Sequence, residues 1–146
     1  MKNLIKSASR ILTLFLCGGG LYYTIEILWR GHSHWSMFIL GGICFLLLGS
    51  LNEFFEWTLS FWKQCIIGAC SITLLEFITG VLVNIILKLN VWDYSNIPGN
   101  ILGQVCPLFT FLWLFLAALG IWLDDFLRWA LFKEDFPHYN FKWNNG

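Results

Sequence analysis

The chain has 146 residues, of which 58% are hydrophobic and 12% charged, and its mean hydropathy is +0.67. This composition excludes an ordinary soluble domain and indicates a protein whose solvent is lipid. The formal net charge is zero and no run of lysine or arginine stands out, so we expect no nucleic-acid partner.

Four apolar segments are long enough to cross a bilayer, at residues 11–29, 35–52, 64–87 and 101–123. They are predicted to be helices because an open sheet leaves its backbone unsatisfied in lipid, and because the segments lack the alternation of a barrel strand. We therefore expect a single all-α transmembrane domain over residues 1–146, a four-helix bundle in the lipid bilayer that ends in a short polar C-terminal tail.

The positive charges predict the orientation of the bundle. One side of the expected bundle carries Lys2, Lys6, Arg10, Lys63, Arg128, Lys133 and Lys142. The other side carries only Arg30 and Lys88. By the positive-inside rule, both termini are expected in the cytoplasm.

Glu76 lies in an apolar run that no lysine or arginine interrupts between Lys63 and Lys88, close to the expected bilayer midplane. A charged side chain there costs about 2.5 to 3.5 kcal/mol, so Glu76 should face protein or water, find a partner or take up a proton. Two interpretations stay open. Glu76 is either a functional carboxylate or a protonated side chain that hydrogen-bonds a neighbouring helix and holds the bundle together.

Stripes of small and polar residues mark the faces of spans three and four that are expected to meet. The stripe of span three consists of Ala69, Thr73, Glu76, Gly80 and Asn84, opposite an aliphatic face of Ile67, Leu74, Ile78, Leu82 and Ile85. That of span four consists of Gly103, Cys106, Thr110, Trp113, Ala117, Gly120 and Asp124. Small residues allow close approach of helix backbones, while the aliphatic face should meet lipid. Pro107 is expected to free the carbonyl of Gly103 and to kink span four.

The connection between spans three and four, residues 90–100, is the densest group of polar side chains in the chain. Pro98 and Gly99 predict a turn, and Asn100 is expected to cap span four. The side chains expected to gather at that positive helix end are Asp93, Tyr94, Ser95, Asn96 and Gln104. An anionic group of a substrate is favoured at such a place. In the alternative, Asp93 is itself the anion and the loop only folds over the bundle.

Residues 53–62, between spans two and three, mix aromatic residues with Glu53 and Glu56, and an interfacial helical turn is expected there. The two carboxylates, three residues apart, would either hold a cation or be ordinary solvated charges.

Three stretches resemble a bacterial family of membrane proteins. They are LLEFITG (Leu74 to Gly80), VWDYSNIPGNILGQVC (Val91 to Cys106) and the later Trp113. Over roughly residues 20–125 the chain is similar to the type IV ABC-transporter, or CmpB-like, membrane proteins. The resemblance implies an integral permease in the bacterial cytoplasmic membrane.

The chain lacks the GxxxxGK[ST] pattern that cradles nucleotide phosphates. Any ATPase would therefore be a separate polypeptide. Four spans also imply that a working unit contains several copies of this chain, as a homo-oligomer, or other membrane subunits.

Three functions are compatible with the sequence. In the first, the chain is a transport or permease component in which Glu76 and the outer loop form the path of a substrate or ion. The candidate binding residues are Glu76, Thr73, Asn84, Asp93, Tyr94, Ser95, Asn100 and Gln104. The second is a non-transporting scaffold or regulatory subunit.

The third function is a small lipid-acting enzyme. A metal on His32 and His34 would need further ligands, of which Asp93 is the nearest candidate. The chain carries no nucleotide-binding or hydrolase motif, so we predict that it is not an enzyme. We assign no catalytic residue, no metal and no cofactor.

Overall fold

The computed structural model describes residues 1–55 and 57–143. Its helices are α1 (Lys2–Arg30), α2 (Trp35–Phe55), α3 (Phe61–Gly80) and α4 (Pro107–Phe132), and α3 continues as a π-helical segment, Val81–Ile86. Within the described residues there is no strand, only two isolated bridges. Each helix, with α3 counted together with its π-helical segment, is long and apolar enough to cross a membrane. The all-α prediction with four spans is confirmed.

The predicted start of span four is wrong. Helix α4 begins at Pro107 rather than at residue 101, because Leu102 and Gly103 have φ angles of 52° and 70°, outside the helical region. Cys106 is extended and precedes the helix, so Pro107 occupies the first turn, where no N–H is needed. Pro107 therefore begins a helix instead of kinking one. Gly103 and Cys106 do not belong to the stripe of α4.

Glycines bring α1 and α2 into close contact along their length. A Cβ at Gly41 would lie 2.5 Å from the Cβ of Tyr22, and one at Gly42 would lie 2.6 Å from the ring of Phe15. Conversely, the side chain of Phe45 in α2 packs against Gly18 of α1. Helix α1 packs mainly on α2, whereas α3 packs mainly on α4 and α2 touches both. Because these glycines have no side chain, aromatic residues of the facing helix pack directly against their backbone.

The predicted faces of α3 are confirmed except at Ile67, which is partly buried and packs against the core. Ala69 and Glu76 are 1% and 2% exposed, whereas Leu74 and Ile78 are 60% and 55% exposed. On the facing helix, Ala117 is fully buried. The small and polar stripe therefore lies on the inner side of α3, and the other four aliphatic residues lie on its outer surface.

The two termini lie at the same end of the bundle. Arg10 near the start of α1 forms a 3.1 Å ion pair with Glu134 just after α4. The tail then folds back, so that the Phe61 N–H donates to the Asn140 carbonyl at 2.7 Å. We refer to this end as the terminal end, and to the opposite end, where residues 87–106 form a capping loop, as the loop end.

Between α2 and α3, residues 57 and 58 form a turn, and the Thr58 N–H donates to the Phe55 carbonyl at 2.9 Å. Of the two glutamates expected to act together there, Glu56 lies outside the described residues. Glu53 forms an ion pair with Arg128 of α4.

Candidate binding site around Glu76

Glu76 projects from α3 into the interior, where two neutral groups donate hydrogen bonds to it. The Tyr94 hydroxyl donates to Oε1 and the Trp113 indole N–H donates to Oε2, each at 2.9 Å. The first donor comes from the capping loop and the second from α4. No basic side chain of residues 1–55 and 57–143 forms an ion pair with Glu76. The carboxylate therefore lies deep in the bundle without a cationic partner.

Tyr94 is held in position by packing and by its backbone. Its ring stacks on Phe109 with centroids 4.6 Å apart, and its N–H donates to the Gly103 carbonyl at 2.8 Å. Burial, followed by the charge of Glu76, raises the pKa of Tyr94 above its usual range. The phenol therefore stays protonated and remains a donor to the carboxylate.

Asn84 and Gln104 attach the capping loop to the end of α3. The Asn84 amide donates to Gln104 Oε1 at 2.8 Å and accepts from the Val91 N–H at 2.6 Å. The Trp92 indole donates to the Gln104 carbonyl at 3.0 Å. Gly80 leaves room for this packing, because a Cβ there would lie 2.5 Å from Gln104 Oε1. The polar groups of Asn84 and Gln104 are thus engaged in folding the loop.

Asp93, Ser95 and Asn100 form the outer part of the capping loop. Asp93 Oδ1 accepts from the N–H of Ser95 at 2.8 Å and from its hydroxyl, and these bonds lower the pKa of Asp93 below its usual range. The Asn100 amide donates to the Ile97 carbonyl at 2.9 Å, and its oxygen accepts from the Gly103 N–H at 3.0 Å. These contacts are internal to the loop.

The expected cap and cluster at the start of span four are therefore wrong. Asn100 caps no helix, since residues 101–106 lie between it and α4 and Cys106 precedes the first turn. Asp93, Ser95 and Asn96 are exposed in the loop, while Tyr94 alone of the expected cluster is hydrogen-bonded to Glu76. The loop folds over the bundle, and the side chain of Tyr94 extends into the interior.

Thr73 lies at another place in the bundle. Its hydroxyl is 3.0 Å from that of Thr110, which joins α3 to α4. Both threonines line a cavity of about 540 Å³ that also includes Cys70, and Glu76 is not part of its wall. Of the other seven candidate binding residues, Tyr94 alone is hydrogen-bonded to Glu76. Asn84 and Gln104 bond each other and hold the loop that carries Tyr94, and Asp93, Ser95 and Asn100 bond within that loop.

Glu76 forms part of the wall of a separate cavity of about 290 Å³. Tyr22 of α1, Cys44 of α2 and Trp113 of α4 also line it. The rest of the wall consists of Gly18, Leu21, Ile25, Leu40, Gly41, Phe45, Leu48, Ile72, Leu116, Leu119, Gly120, Trp122 and Leu123. Sequence patterns placed Trp113 on an inward face but gave no indication of the contribution of α1.

The terminal end contains a second polar cluster, which the sequence analysis missed apart from the position of Asp124. Arg128 donates to Asp124 at 2.6 Å, and Asp125 accepts from Asn52 at 2.6 Å and from Tyr139 at 2.7 Å. Burial and the bond to Asp125 raise the pKa of Tyr139. Two adjacent aspartates with an arginine one turn later at a span end were the available signal. This cluster joins α2, α4 and the tail.

The histidines of the first loop have local contacts. His34 Nδ1 accepts from the Ser36 N–H at 3.2 Å, at the start of α2, and His32 Nδ1 lies 3.2 Å from the Arg30 carbonyl. Across the described residues, no group of three or more His, Cys, Asp or Glu side chains is arranged to hold a metal ion. Arg30 pairs with Glu26 one turn earlier in α1, and it also donates to the Val91 carbonyl of the capping loop at 3.2 Å.

Comparison with known proteins gives one match. The model of the family described as "Putative ABC-transporter type IV" matches residues 14–134. Neither a curated protein nor a solved structure matches the chain.

Proposed function

The chain belongs to the "Putative ABC-transporter type IV" family and is a multi-pass membrane protein. We propose that it serves as a membrane component of a transport system, in which Glu76 binds the transported species. The observation that carries this proposal is the Glu76 carboxylate itself. It is 2% exposed in the third of four spans, receives two neutral donors and has no cationic partner among the described residues. Ionisable groups in such positions are rare and mark substrate or ion paths.

The donors of Glu76 leave it able to bind a further group. A carboxylate has about four acceptor sites, and Tyr94 and Trp113 use one on each oxygen. Glu76 also lines a cavity between the helices. A purely structural role would be complete with the two donors, whereas a cation or an ammonium group would use the remaining acceptors.

The assembly that we propose has further parts. Because the chain has no phosphate-binding loop, an ATPase would be a separate subunit. The chain would act as a homo-oligomer or beside other membrane subunits. Its position is the bacterial cytoplasmic membrane, and the excess of positive charge at the terminal end supports cytoplasmic termini.

The test compares membrane vesicles from native cells whose chromosomal copy is wild type, deleted, Glu76→Gln or Glu134→Gln. Glu134→Gln is the matched control, because it makes the same change in the ion pair with Arg10, outside the cavity. Vesicles are energised with ATP in a mixture of cations, amines and organic acids, and retained solutes are measured by mass spectrometry.

We expect at least one solute to depend on the chain, and Glu76→Gln to reduce its accumulation by roughly tenfold or more, since a desolvated charge pair is lost. Glu134→Gln should keep the wild-type level. Unchanged transport in Glu76→Gln vesicles contradicts the proposal. If no solute depends on the chain, while Glu76→Gln reduces co-purification of other membrane subunits, the chain is a non-transporting scaffold or regulatory subunit.

A further inference from the structure

One side of the bundle is open between α1 and α4. Helix α1 rests mainly on α2 and makes only slight contact with α4. The gap between them is the 290 Å³ cavity whose wall includes Glu76, which we call the lateral cleft. Its rim is formed by side chains within the spans, where Leu21, Ile25 and Leu119 are 45%, 48% and 65% exposed. A bilayer surrounds this part of the helices, so the cleft opens toward acyl chains rather than toward water.

The wall of the lateral cleft combines apolar surface with one acid. Leucine, isoleucine and aromatic side chains make up most of it, and none of its lining residues is basic. Glu76 supplies the carboxylate, held by Tyr94 and Trp113 with acceptor sites to spare. An anion would be repelled there, and a neutral alkyl chain would leave the carboxylate without a cationic partner. A cation attached to an apolar chain satisfies both parts of the wall.

We propose that the lateral cleft binds a single-chain lipophilic amine that enters from the lipid phase, with its ammonium group on Glu76 and its alkyl chain along α1 and α4. This inference rests on the proposed function, because it takes Glu76 as the binding group and names the class of compound that it binds. The ammonium group donates to the free acceptor sites of the carboxylate, and the chain contacts Leu21, Ile25 and Leu119. A carboxylate without a basic partner inside the bundle thus acquires one from the ligand.

The experiment uses the full chain in phospholipid nanodiscs and two photoreactive probes of equal length. One is a decylamine with a diazirine in its chain, and the other is the corresponding decanol. Cross-linked residues are identified by mass spectrometry after photolysis. We expect the amine to label residues of the lateral cleft and the alcohol to label them roughly tenfold less, because only the amine pairs with a desolvated carboxylate.

Variants locate the binding. Glu76→Gln should reduce labelling by the amine to the level of the alcohol. Leu119→Trp, which narrows the rim without touching Glu76, should also reduce it. Leu74→Trp is the matched control, because Leu74 is 60% exposed on the opposite face of α3 and lines neither cavity. Its labelling should equal that of the wild type.

Several outcomes overturn the inference. Equal labelling by amine and alcohol would mean that the cleft takes bulk acyl chains. Labelling that survives both Glu76→Gln and Leu119→Trp would place the amine elsewhere. A photoreactive residue at position 119 that cross-links to a second copy would identify that copy as the occupant. Amine labelling of the cleft without any transported solute would support this inference while the proposed function fails, and transport without amine labelling would do the reverse.

Discussion

The acidic side chain of Glu76 is stabilised in the apolar interior by hydrogen bonds from two neutral donors, which leave its charge unneutralised. Its depth could be predicted from the sequence, since only the spacing of Lys63 and Lys88 was needed. Its partners could not. Tyr94 and Trp113 lie 18 and 37 residues further along the chain, and their meeting at one carboxylate depends on how a loop folds back over the bundle. Local periodicity carries no information on that path.

The tail residue Tyr139 provides a test at the scale of one hydroxyl. It donates to Asp125 at 2.7 Å, and the other donor to that oxygen is Asn52. Tyr139→Phe should lower the free energy of unfolding by about 1–2 kcal/mol, since a buried charged acceptor loses one of its donors. The measurement is denaturant unfolding in detergent micelles. Tyr23→Phe is the control, because the Tyr23 hydroxyl has no hydrogen-bond partner in the described part of the chain. A loss of equal size in both variants would contradict the assignment.

Among the elements, the capping loop is the one whose structure the sequence predicted least well. Residues 101–106 are mostly apolar and continue the hydropathy of span four, so composition could not separate loop from helix. Leu102 and Gly103, near the end of the loop, both have positive φ angles. In the sequence, only the glycine indicated that such a backbone conformation was possible there. Pro107 was predicted to kink a helix, and the structure instead places it in the first turn of α4. The faces of α3, by contrast, followed from periodicity alone.

Gly103 tests the loop as an element. It has a φ of +70°, and a Cβ there would lie 2.9 Å from both Asp93 Oδ1 and Ser95 Oγ. Gly31, at the end of α1, has a φ of +79° with nothing within 4 Å of such a Cβ. Alanine at either site meets the same backbone strain, of about 1–2 kcal/mol. Gly103→Ala should lose about 1 kcal/mol or more beyond Gly31→Ala, because it also overpacks the loop.

Denaturant unfolding measures the difference between the two glycine variants, and hydrogen–deuterium exchange locates it. Exchange in residues 91–105 should become faster in Gly103→Ala and should not change in Gly31→Ala. If the two variants lose equal stability and the loop exchanges normally in both, the contacts of Asp93 and Ser95 with Gly103 do not stabilise the loop.

The whole molecule places its polar groups at three depths. The terminal end has the cluster of Asp124, Asp125 and Arg128, the interior has Glu76, and the loop end has the Glu26 and Arg30 pair beside the capping loop. The outer surface between them is aliphatic and aromatic. The number of crossings could be predicted from hydropathy because each span must satisfy its own backbone in lipid. The separation of α1 from α4 could not, since it depends on ring-on-glycine contacts that favour α2.

The orientation of the bundle provides the test at the largest scale. Seven basic residues at the terminal end against two at the loop end predict that both termini are cytoplasmic. Two variants, each with one added cysteine, report the two ends of the bundle. Asn96→Cys lies in the capping loop and Asp135→Cys in the tail, and both positions are exposed. In intact cells a membrane-impermeant maleimide should label Asn96→Cys and not Asp135→Cys, with the parental chain as the blank for its five native cysteines. Permeabilised cells should label both.

Labelling of Asp135→Cys alone in intact cells would mean that the bundle has the opposite orientation, with the capping loop in the cytoplasm. Labelling of both would contradict a membrane crossing by α4, which separates the two positions.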